Sequence, residues 1–360
     1  MKKILGIIIL LVVAAVLVVA TQFDWRQLQR AQQSKLDWVD LNIYYGGEKT
    51  RFINNPDTQA ILERHKIRLN AVKAGSIEQV NQLPVADKDC LWPSNQFAVE
   101  LARQSGRNVL TDTNIFNSAI VFYAWRPVTE AFIKAGVAER KQGIVTVDTQ
   151  KLLQLVTQQK RWQEDLGLEV YGTVKVFSTD PRRSNPGNMW AGLLANTFNN
   201  GQVVAADDRP TILPKVSDYF EAMGYMEHSS GDIFENFLKQ GMGARPIIVG
   251  YENQLIEFVI EHDDYRDTIR DKVDILYPTP TIFASHPLIS LTAQCDRLVT
   301  AFQDKKLQQL AWQEHGFRSG FLGVTNSPDV LNFGGIPATV TQVMPLPAAA
   351  VMQDVIESLE

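Results

Sequence analysis

A loop at residues 184–188, with the sequence Ser-Asn-Pro-Gly-Asn, carries the clearest chemical pattern in the chain. Serine and asparagine suit a helix cap, proline suits the first helical turn, and glycine lets the backbone approach a neighbour closely. Because a helix N-terminus has unpaired N–H groups and partial positive charge, it can bind an anion. The loop therefore predicts that Ser184, Asn185, Gly187 and Asn188 contact an anionic or strongly polar solute.

Two arginines directly before this loop extend the prediction. Arg182 and Arg183 could present guanidinium donors to a carboxylate or another oxyanion at the rim of the site, and Arg182 is included among the predicted contacts. An ordinary helix cap flanked by two solvated arginines would give the same sequence. The pattern alone leaves both interpretations open.

Further polar groups lie at the ends of other predicted strands, at the positions where loops of an α/β sheet meet a ligand. Each has an ordinary structural alternative: a helix cap for the serines, a surface ion pair for the two charged residues, and a core aromatic for the tyrosine. The predicted ligand contacts outside the loop at 182–188 are Gly47, Glu48, Lys49, Ser76, Ser94, Asn95, Ser118 and Tyr251.

The elements that position these residues alternate between short apolar strands and amphipathic helices. The predicted strands lie at residues 40–45, 67–72, 90–92, 119–125, 168–177, 246–250 and 272–277. Helical spacing recurs between and after them, at residues 56–66, 96–105, 188–195, 219–224, 233–241, 251–262, 291–316 and 349–359. Asn55 is a predicted cap of the first of these helices, before a proline in its first turn. The alternation predicts an α/β fold with a parallel or mixed sheet.

Signals for catalysis and metal binding are weak. The five histidines show neither an H-E-x-x-H motif nor paired spacing, and the segment at 316–320 has the wrong spacing for a hydrolase nucleophile elbow. Trp162, Trp190 and Trp312 lie among apolar residues at helical spacing, which predicts core positions. We therefore predict a protein that is not an enzyme and has no catalytic residues, metal site or cofactor.

Composition excludes several other classes of protein. The chain has 360 residues, of which 45% are apolar and 21% charged, which is typical of a globular protein with a large core. Its 35 basic and 40 acidic residues give a net charge of −5, and an acidic chain without a basic cluster is unsuited to binding nucleic acid. Cys90 and Cys295 are too few for a disulfide scaffold, and their spacing leaves open whether they pair.

The N-terminus carries a local signal for export. Residues 4–20, from Ile4 to Ala20, contain no charged or polar side chain and follow Lys2 and Lys3. The run is about 25 Å long as a helix, near the lower limit of a membrane span, and the two lysines would remain in the cytoplasm. A cleaved signal peptide, with cleavage after Ala20, is the alternative. Either interpretation places the body of the protein outside the cytoplasm.

The order of these segments resembles that of extracellular solute-binding proteins of the type II periplasmic fold, the broad group that contains sulfate- and molybdate-binding proteins. The resemblance covers about residues 38–325. The matching stretches are residues 46–49, 74–76, 117–122, 179–187 and 249–252. The resemblance implies a two-lobed α/β protein with a ligand between its lobes, whereas the last 35 residues match no part of the pattern.

The implied domain organisation has five parts. Residues 1–23 form the transmembrane anchor or signal peptide, 24–37 a stalk, 38–120 the first part of lobe 1, 121–273 lobe 2, and 274–360 the second part of lobe 1. Two crossings, near residues 121–126 and 274–281, would form the hinge. Small ligands bind between such lobes, and closure of the lobes excludes water.

These observations predict an extracytoplasmic solute-binding protein. It would capture a small polar or anionic solute and present it to an ABC-type permease or a membrane sensor. The alternative is a ligand-free two-lobed interaction or assembly protein anchored at the membrane. The expected location is the cell membrane, with a single N-terminal span and the body on the periplasmic or extracellular side. The protein would be secreted or periplasmic if the segment is cleaved.

Overall fold

The computed structural model describes residues 37–331 and 333–359. The predicted anchor or signal segment and nearly all of the predicted stalk lie outside these residues. Within the described part of the chain, no helix combines the length and the apolar character needed to cross a bilayer.

Ten strands and fourteen α-helices form within the described residues. The strands are β1 (Val39–Tyr45), β2 (Ile67–Lys73), β3 (Cys90–Trp92), β4 (Thr111–Trp125), β5 (Ala138–Lys141), β6 (Ile144–Asp148), β7 (Ile247–Tyr251), β8 (Val273–Thr279), β9 (Phe283–Ser290) and β10 (Arg318–Ser319). The helices are α1 (Thr50–Asn54), α2 (Pro56–Arg64), α3 (Glu78–Asn81), α4 (Phe97–Gln104), α5 (Arg126–Lys134), α6 (Thr149–Thr157), α7 (Asn185–Phe198), α8 (Arg209–Glu221), α9 (Ser230–Gln240), α10 (Glu252–Glu261), α11 (Arg266–Lys272), α12 (Cys295–Phe302), α13 (Lys305–His315) and α14 (Ala349–Glu357).

The long strand β4 joins two halves of the mixed sheet. From Thr111 to Ala119 it pairs antiparallel with β9, and from Ile120 to Trp125 it pairs antiparallel with β7 and β8. We call β1, β2, β3, β9 and β10 the first half of the sheet, and β5 to β8 the second half. In the first half β1 lies between β2 and β3 in parallel pairing, and in the second half β8 and β6 are parallel.

The chain passes between the halves of the sheet twice. It enters the second half along β4 and returns between β8 and β9, where the Ile120 N–H donates to the Ile282 carbonyl over 3.0 Å. We propose these two crossings as the hinge. The lobe boundaries at residues 120 and 273 stay predictions, and β8 itself lies in the second half of the sheet.

Separate apolar clusters stabilise the two halves. Phe52 packs edge-on against Trp92 and Phe116 in the first half, and the predicted core tryptophans Trp162 and Trp190 are buried in the second. Trp312, also predicted as core, is 2% exposed. The structure resolves the question of the cysteines: Cys90 of β3 and Cys295 of α12 form a disulfide that joins segments 205 residues apart. The bond therefore connects the two separate stretches of chain that build the first half.

The secondary-structure prediction was incomplete or wrong in several places. Helices α5 and α6 and residues 111–118 of β4 were missed. Residues 168–177 form no strand, because Val174 and Val176 pack into the core of the second half while the backbone makes only isolated bridges, such as Phe177 to Ile248. Strand β9 was missed because Pro287 interrupts its apolar pattern; Pro287 lies next to an irregularity in the pairing with β4. The hairpin of β5 and β6 was also missed.

The last helix, α14, packs against both halves. Ala349 and Met352 contact the apolar cluster around Phe97 of the first half, whereas Val351 and Val355 belong to the core of the second. The terminal helix predicted at residues 349–359 is thus confirmed, and it covers one flank of the junction between the two halves.

Candidate functional site

A cleft of about 1210 Å³ lies between the two halves and is lined by residues of both. Three of its lining segments are helix N-termini: α7 begins at Asn185, α9 at Ser230 and α10 at Glu252. Each of these ends directs the partial positive charge of a helix N-terminus to the same space. Some of their first N–H groups are held by protein side chains, such as those of Gly187 by Thr179 and Asp232 by Ser229. This arrangement suits an anionic or strongly polar ligand.

Some of the predicted contact residues line this cleft, and the others lie behind the residues that line it. The cleft is lined by Gly47, Glu48, Ser76, Ser184, Asn185 and Tyr251. The lining does not include Lys49, Ser94, Asn95, Ser118, Arg182, Gly187 or Asn188. The loops that the sequence singled out therefore reach this cleft, whereas which of their side chains line it depends on the packing behind them.

Asn185 ties the start of α7 to the first half of the sheet. Its Nδ2 donates to the Ser94 carbonyl over 2.8 Å and to the Tyr251 hydroxyl over 2.7 Å. Its Oδ1 accepts from Nδ2 of Asn95. All polar atoms of the Asn185 side chain are thus engaged by protein. Pro186 has no N–H, and the N–H groups of Gly187 and Asn188 donate to Thr179 Oγ1 and to the Ser184 carbonyl, so a solute at this end would meet the Ser184 side chain and the first backbone N–H of α7.

Arg182 and Arg183 differ in their surroundings. The Arg182 guanidinium chelates Asp180, with Nε and Nη2 donating over 2.9 and 2.8 Å. Burial would raise the pKa of Asp180, but the hydrogen bonds from Arg182 lower it overall. Arg183 lines the cleft and its side chain is 61% exposed, with the Asp180 carboxylate 3.9 Å away. The cation at the rim is therefore Arg183, and the contact predicted for Arg182 is not supported by its position.

Gly187 is required by packing and not by a ligand. Its N–H donates to Thr179 Oγ1 over 3.0 Å, and a Cβ atom at this position would collide with the Thr179 carbonyl oxygen. The next residue, Asn188, is 1% exposed. Both residues therefore face the protein interior, against the loop that precedes α7.

A buried charged network forms the floor of the cleft beneath Glu48. Lys49 is fully buried and forms an ion pair with Glu48. Lys49 Nζ also donates to Ser94 Oγ over 3.0 Å, and Ser94 in turn donates to Glu48. His286 Nδ1 lies 3.3 Å from Glu48 Oε1. These contacts neutralise the Lys49 charge, so Lys49 supports the site from below.

The protonation states in this network follow from burial and charge. Burial alone would raise the pKa of Glu48, but the Lys49 ammonium and His286 hold it well below its usual range. Burial, together with the Lys49 charge, lowers the pKa of His286 to about 4. Burial and the Glu48 carboxylate raise the pKa of Tyr251. Burial lowers the pKa of Lys49, and the Glu48 carboxylate opposes this shift. At neutral pH the network therefore pairs the Glu48 carboxylate with the Lys49 ammonium, beside a neutral imidazole and a neutral phenol.

The predicted serines also have defined roles. Ser76 lines the cleft, and its Oγ accepts from the Ser94 N–H over 2.9 Å. Ser118 is fully buried in β4, and its hydroxyl donates to Oδ1 of Asn253 over 2.9 Å. Asn253 belongs to the lining, which makes it the group that Ser118 supports.

Several charged groups of the cleft were missed by sequence reasoning. Among the described residues Lys73 has no carboxylate within 4.0 Å, and its side chain lies over Gly47. The other charged lining residues outside the predicted set are Arg51, Glu78, Asp232, Glu235, Lys239 and Glu257. Most of these are engaged: Arg51 pairs with Glu257 and Lys239 with Glu235. Nothing in their local sequence distinguishes them from ordinary surface charges.

Comparison with known proteins identifies the fold. No protein-family model and no curated protein matches the sequence. Solved structures do match: the apo ferric ion-binding protein A of Pasteurella haemolytica is 12% identical with a TM-score of 0.56, over 89% of this chain and 96% of that one. The binding protein AfuA of Actinobacillus pleuropneumoniae, with fructose 6-phosphate bound, is 13% identical with a TM-score of 0.55, over 89% and 97%.

A third match is the sulfate-binding protein SubI of Mycobacterium tuberculosis, which is 14% identical with a TM-score of 0.52, over 88% of this chain and 96% of that one. These similarities show that the chain has the two-lobed type II fold of periplasmic solute-binding proteins. The resemblance inferred from the order of the sequence segments is thereby confirmed.

Proposed function

We propose that this protein is an extracytoplasmic solute-binding protein that captures a small polar or anionic solute between its two lobes. The observation that carries the proposal is the convergence of three helix N-termini on one cleft lined from both halves of the sheet. The similar structures are named for ferric ion, sulfate and fructose 6-phosphate binding, which supports a binding function for the same cleft.

Two side-chain cations at the cleft support an anionic ligand, next to the carboxylates of Glu78 and Asp232, which also line it. Lys73 from the first half has no carboxylate within 4.0 Å among the described residues, and Arg183 from the second lies 3.9 Å from the Asp180 carboxylate, which Arg182 already binds. Glu48 neutralises the charge of Lys49. The remaining donors are the serine hydroxyls, the side chains of Lys73 and Arg183, and those N–H groups of the helix N-termini that have no partner in the protein. Neutral donors with limited positive charge bind an anion and still release it.

The site of action follows from the N-terminal prediction. Residues 4–20 would hold the body of the protein at the outer face of the cytoplasmic membrane, or direct its export if cleaved. There the solute-loaded form would be recognised by an ABC-type permease or a sensor. Protease added to spheroplasts should digest the bulk of the chain, and protection of the bulk would contradict this topology.

Ligand-induced stabilisation tests the function directly. The full-length chain is heated with sulfate, phosphate, citrate or fructose 6-phosphate, and a probe that binds the native state raises the unfolding temperature. For a probe that binds, Lys73→Met should weaken affinity by about ten- to a hundred-fold, because a hydrogen bond to a charged group contributes about 1.5–3 kcal/mol. The matched control is Lys215→Met, which removes an exposed lysine of α8 outside the cleft.

The two results distinguish the candidate functions. A shift in unfolding temperature that Lys73→Met reduces and Lys215→Met leaves unchanged supports solute capture in this cleft. Ser184→Ala should act in the same direction as Lys73→Met, since Ser184 lines the start of α7. If no probe stabilises the protein, the ligand-free assembly protein becomes the better interpretation.

A further inference from the structure

Asn253, near the start of α10, has an incompletely paired side chain at the cleft. The residue lines the cleft and is fully buried. Its Nδ2 has no hydrogen-bond partner among the described residues. Buried polar groups of native proteins are nearly always paired, so an orphan amide at a cleft needs an explanation.

The hydrogen bonds between Ser118 and Asn253 determine which end of the Asn253 amide faces Ser118. The Ser118 hydroxyl oxygen accepts from the Asn253 backbone N–H over 3.3 Å, and its own proton goes to Asn253 Oδ1 over 2.9 Å. With the amide turned over, Nδ2 would meet this hydroxyl and the hydroxyl proton would lose its acceptor. The observed orientation satisfies Ser118 and leaves Nδ2 as the free donor.

The carboxylate one turn further along α10 does not accept this donor. Glu257 also lines the cleft, but its Oε1 lies 2.7 Å from Nδ1 of His315, and its Oε2 lies 3.8 Å from Nη1 of Arg51. The other acid of this region, Glu252, is bound by Arg318 and by the Tyr277 hydroxyl. The acidic groups near Asn253 on α10 are therefore engaged elsewhere.

We propose that Asn253 contacts the solute, donating from Nδ2 to an acceptor oxygen of a carboxylate, a phosphate or a hydroxyl group, and that Ser118 is its positioning residue. The inference rests on the proposed function and adds to it a specific donor at the start of α10. It also assigns to Ser118 an indirect role, because Ser118 holds the amide with its donor directed away from β4.

The binding test uses an isosteric change. Asn253→Asp keeps the shape and the acceptor for Ser118, but it replaces the free donor with an oxygen that repels an acceptor. For the first of sulfate, phosphate, citrate or fructose 6-phosphate that binds the wild-type chain, affinity should fall by at least about tenfold. Asn200→Asp, which adds the same charge at an exposed position outside the cleft, should leave affinity unchanged.

A double-mutant cycle tests the positioning role. Ser118→Ala should weaken the same probe, and Ser118→Ala combined with Asn253→Asp should be no weaker than Asn253→Asp alone, because both changes act through one amide. Additive losses would overturn the positioning role of Ser118. Equal affinity of wild type and Asn253→Asp would overturn the contact while leaving the proposed function intact. If none of the probes binds the wild-type chain, the function and the contact both fall.

A second measurement needs no solute. If Ser118 is the only partner of the Asn253 amide in the ligand-free protein, Asn253→Leu should lower the urea midpoint of unfolding no more than Ser118→Ala does. A clearly larger loss for Asn253→Leu would mean that Nδ2 has a structural partner, and it would overturn the inference whatever the probes bind.

Discussion

Replacing Glu48 by glutamine should destabilise the protein strongly, because it leaves the Lys49 ammonium buried without its counter-charge. Lys49 is fully buried, and Glu48 is its only ion-pair partner within 4.0 Å in the described part of the chain. The glutamine keeps the size of the side chain and a carbonyl oxygen that can accept from Lys49. The change therefore isolates the loss of charge from any loss of packing.

The size of the effect can be bounded from the two states available to Lys49. Removing one partner of a buried ion pair destabilises proteins by about 3–5 kcal/mol. The folded variant can instead release the lysine proton. Because the pKa of lysine in the unfolded chain is about 10.4 and each pH unit below it corresponds to about 1.4 kcal/mol, this release requires about 5 kcal/mol at pH 7 and about 2 kcal/mol at pH 9. Because the unfolded state then binds more protons than the folded one, the stability of the variant should rise with pH relative to wild type.

Urea unfolding of full-length wild type and Glu48→Gln at pH 7 and pH 9 measures this difference. The free energy of unfolding of Glu48→Gln should lie below that of wild type by about 3–5 kcal/mol at pH 7 and by about 2 kcal/mol at pH 9. Glu48→Gln combined with Lys49→Met should recover most of the loss, since no charge is then buried. Glu139→Gln, which breaks the exposed pair with Lys141, should change stability by less than about 1 kcal/mol. A Glu48→Gln deficit that is small, or that does not depend on pH, would refute the reasoning.

Three other predictions concern stability. Replacing Cys90 and Cys295 by alanine should lower the free energy of unfolding in urea by about 2–5 kcal/mol, because the disulfide closes a loop of 205 residues; no loss relative to oxidised wild type would contradict this. Gly187→Ala should lower the free energy of unfolding by about 1–3 kcal/mol, because the added methyl group meets the Thr179 carbonyl oxygen. An unchanged urea midpoint would show that the loop moves to relieve this clash without loss of stability. The pKa of His286 is lowered to about 4, so the folded state binds fewer protons than the unfolded state between about pH 6.5 and pH 4. The contribution of neutral His286 to stability is present above about pH 6.5 and lost as the pH falls towards 4. His286→Gln should therefore make the free energy of unfolding less dependent on pH across this window. An unchanged slope of the free energy of unfolding against pH would contradict the lowered pKa of His286.

Local patterns in the sequence determined the elements and the loops of the site. Asn55 caps α2 with its Oδ1 accepting from the Asp57 N–H over 2.9 Å, as predicted from the proline that follows it. The loop at 184–188 starts α7 at the cleft, with Pro186 in the first turn and Gly187 close to the Thr179 carbonyl, signals that act over a few residues. Ser184 lies at the N-cap position but makes no side-chain cap hydrogen bond. The order of the strands and loops was enough to predict the two-lobed fold. Apolar periodicity predicted the buried tryptophans for the same reason: it records which face of an element is buried.

Only the tertiary structure decided which side chains face the solute and which support them. Lys49 is neutralised by its neighbour Glu48, but the imidazole beside that carboxylate belongs to His286 on β9, a strand that Pro287 concealed. Ser118 and Asn253 are 135 residues apart and meet because β4 passes behind the start of α10. Periodicity reports burial along one element and carries no information on the partner supplied by another. The direction of a side chain at the cleft is therefore set by hydrogen-bond partners that only strand pairing and helix packing bring within reach.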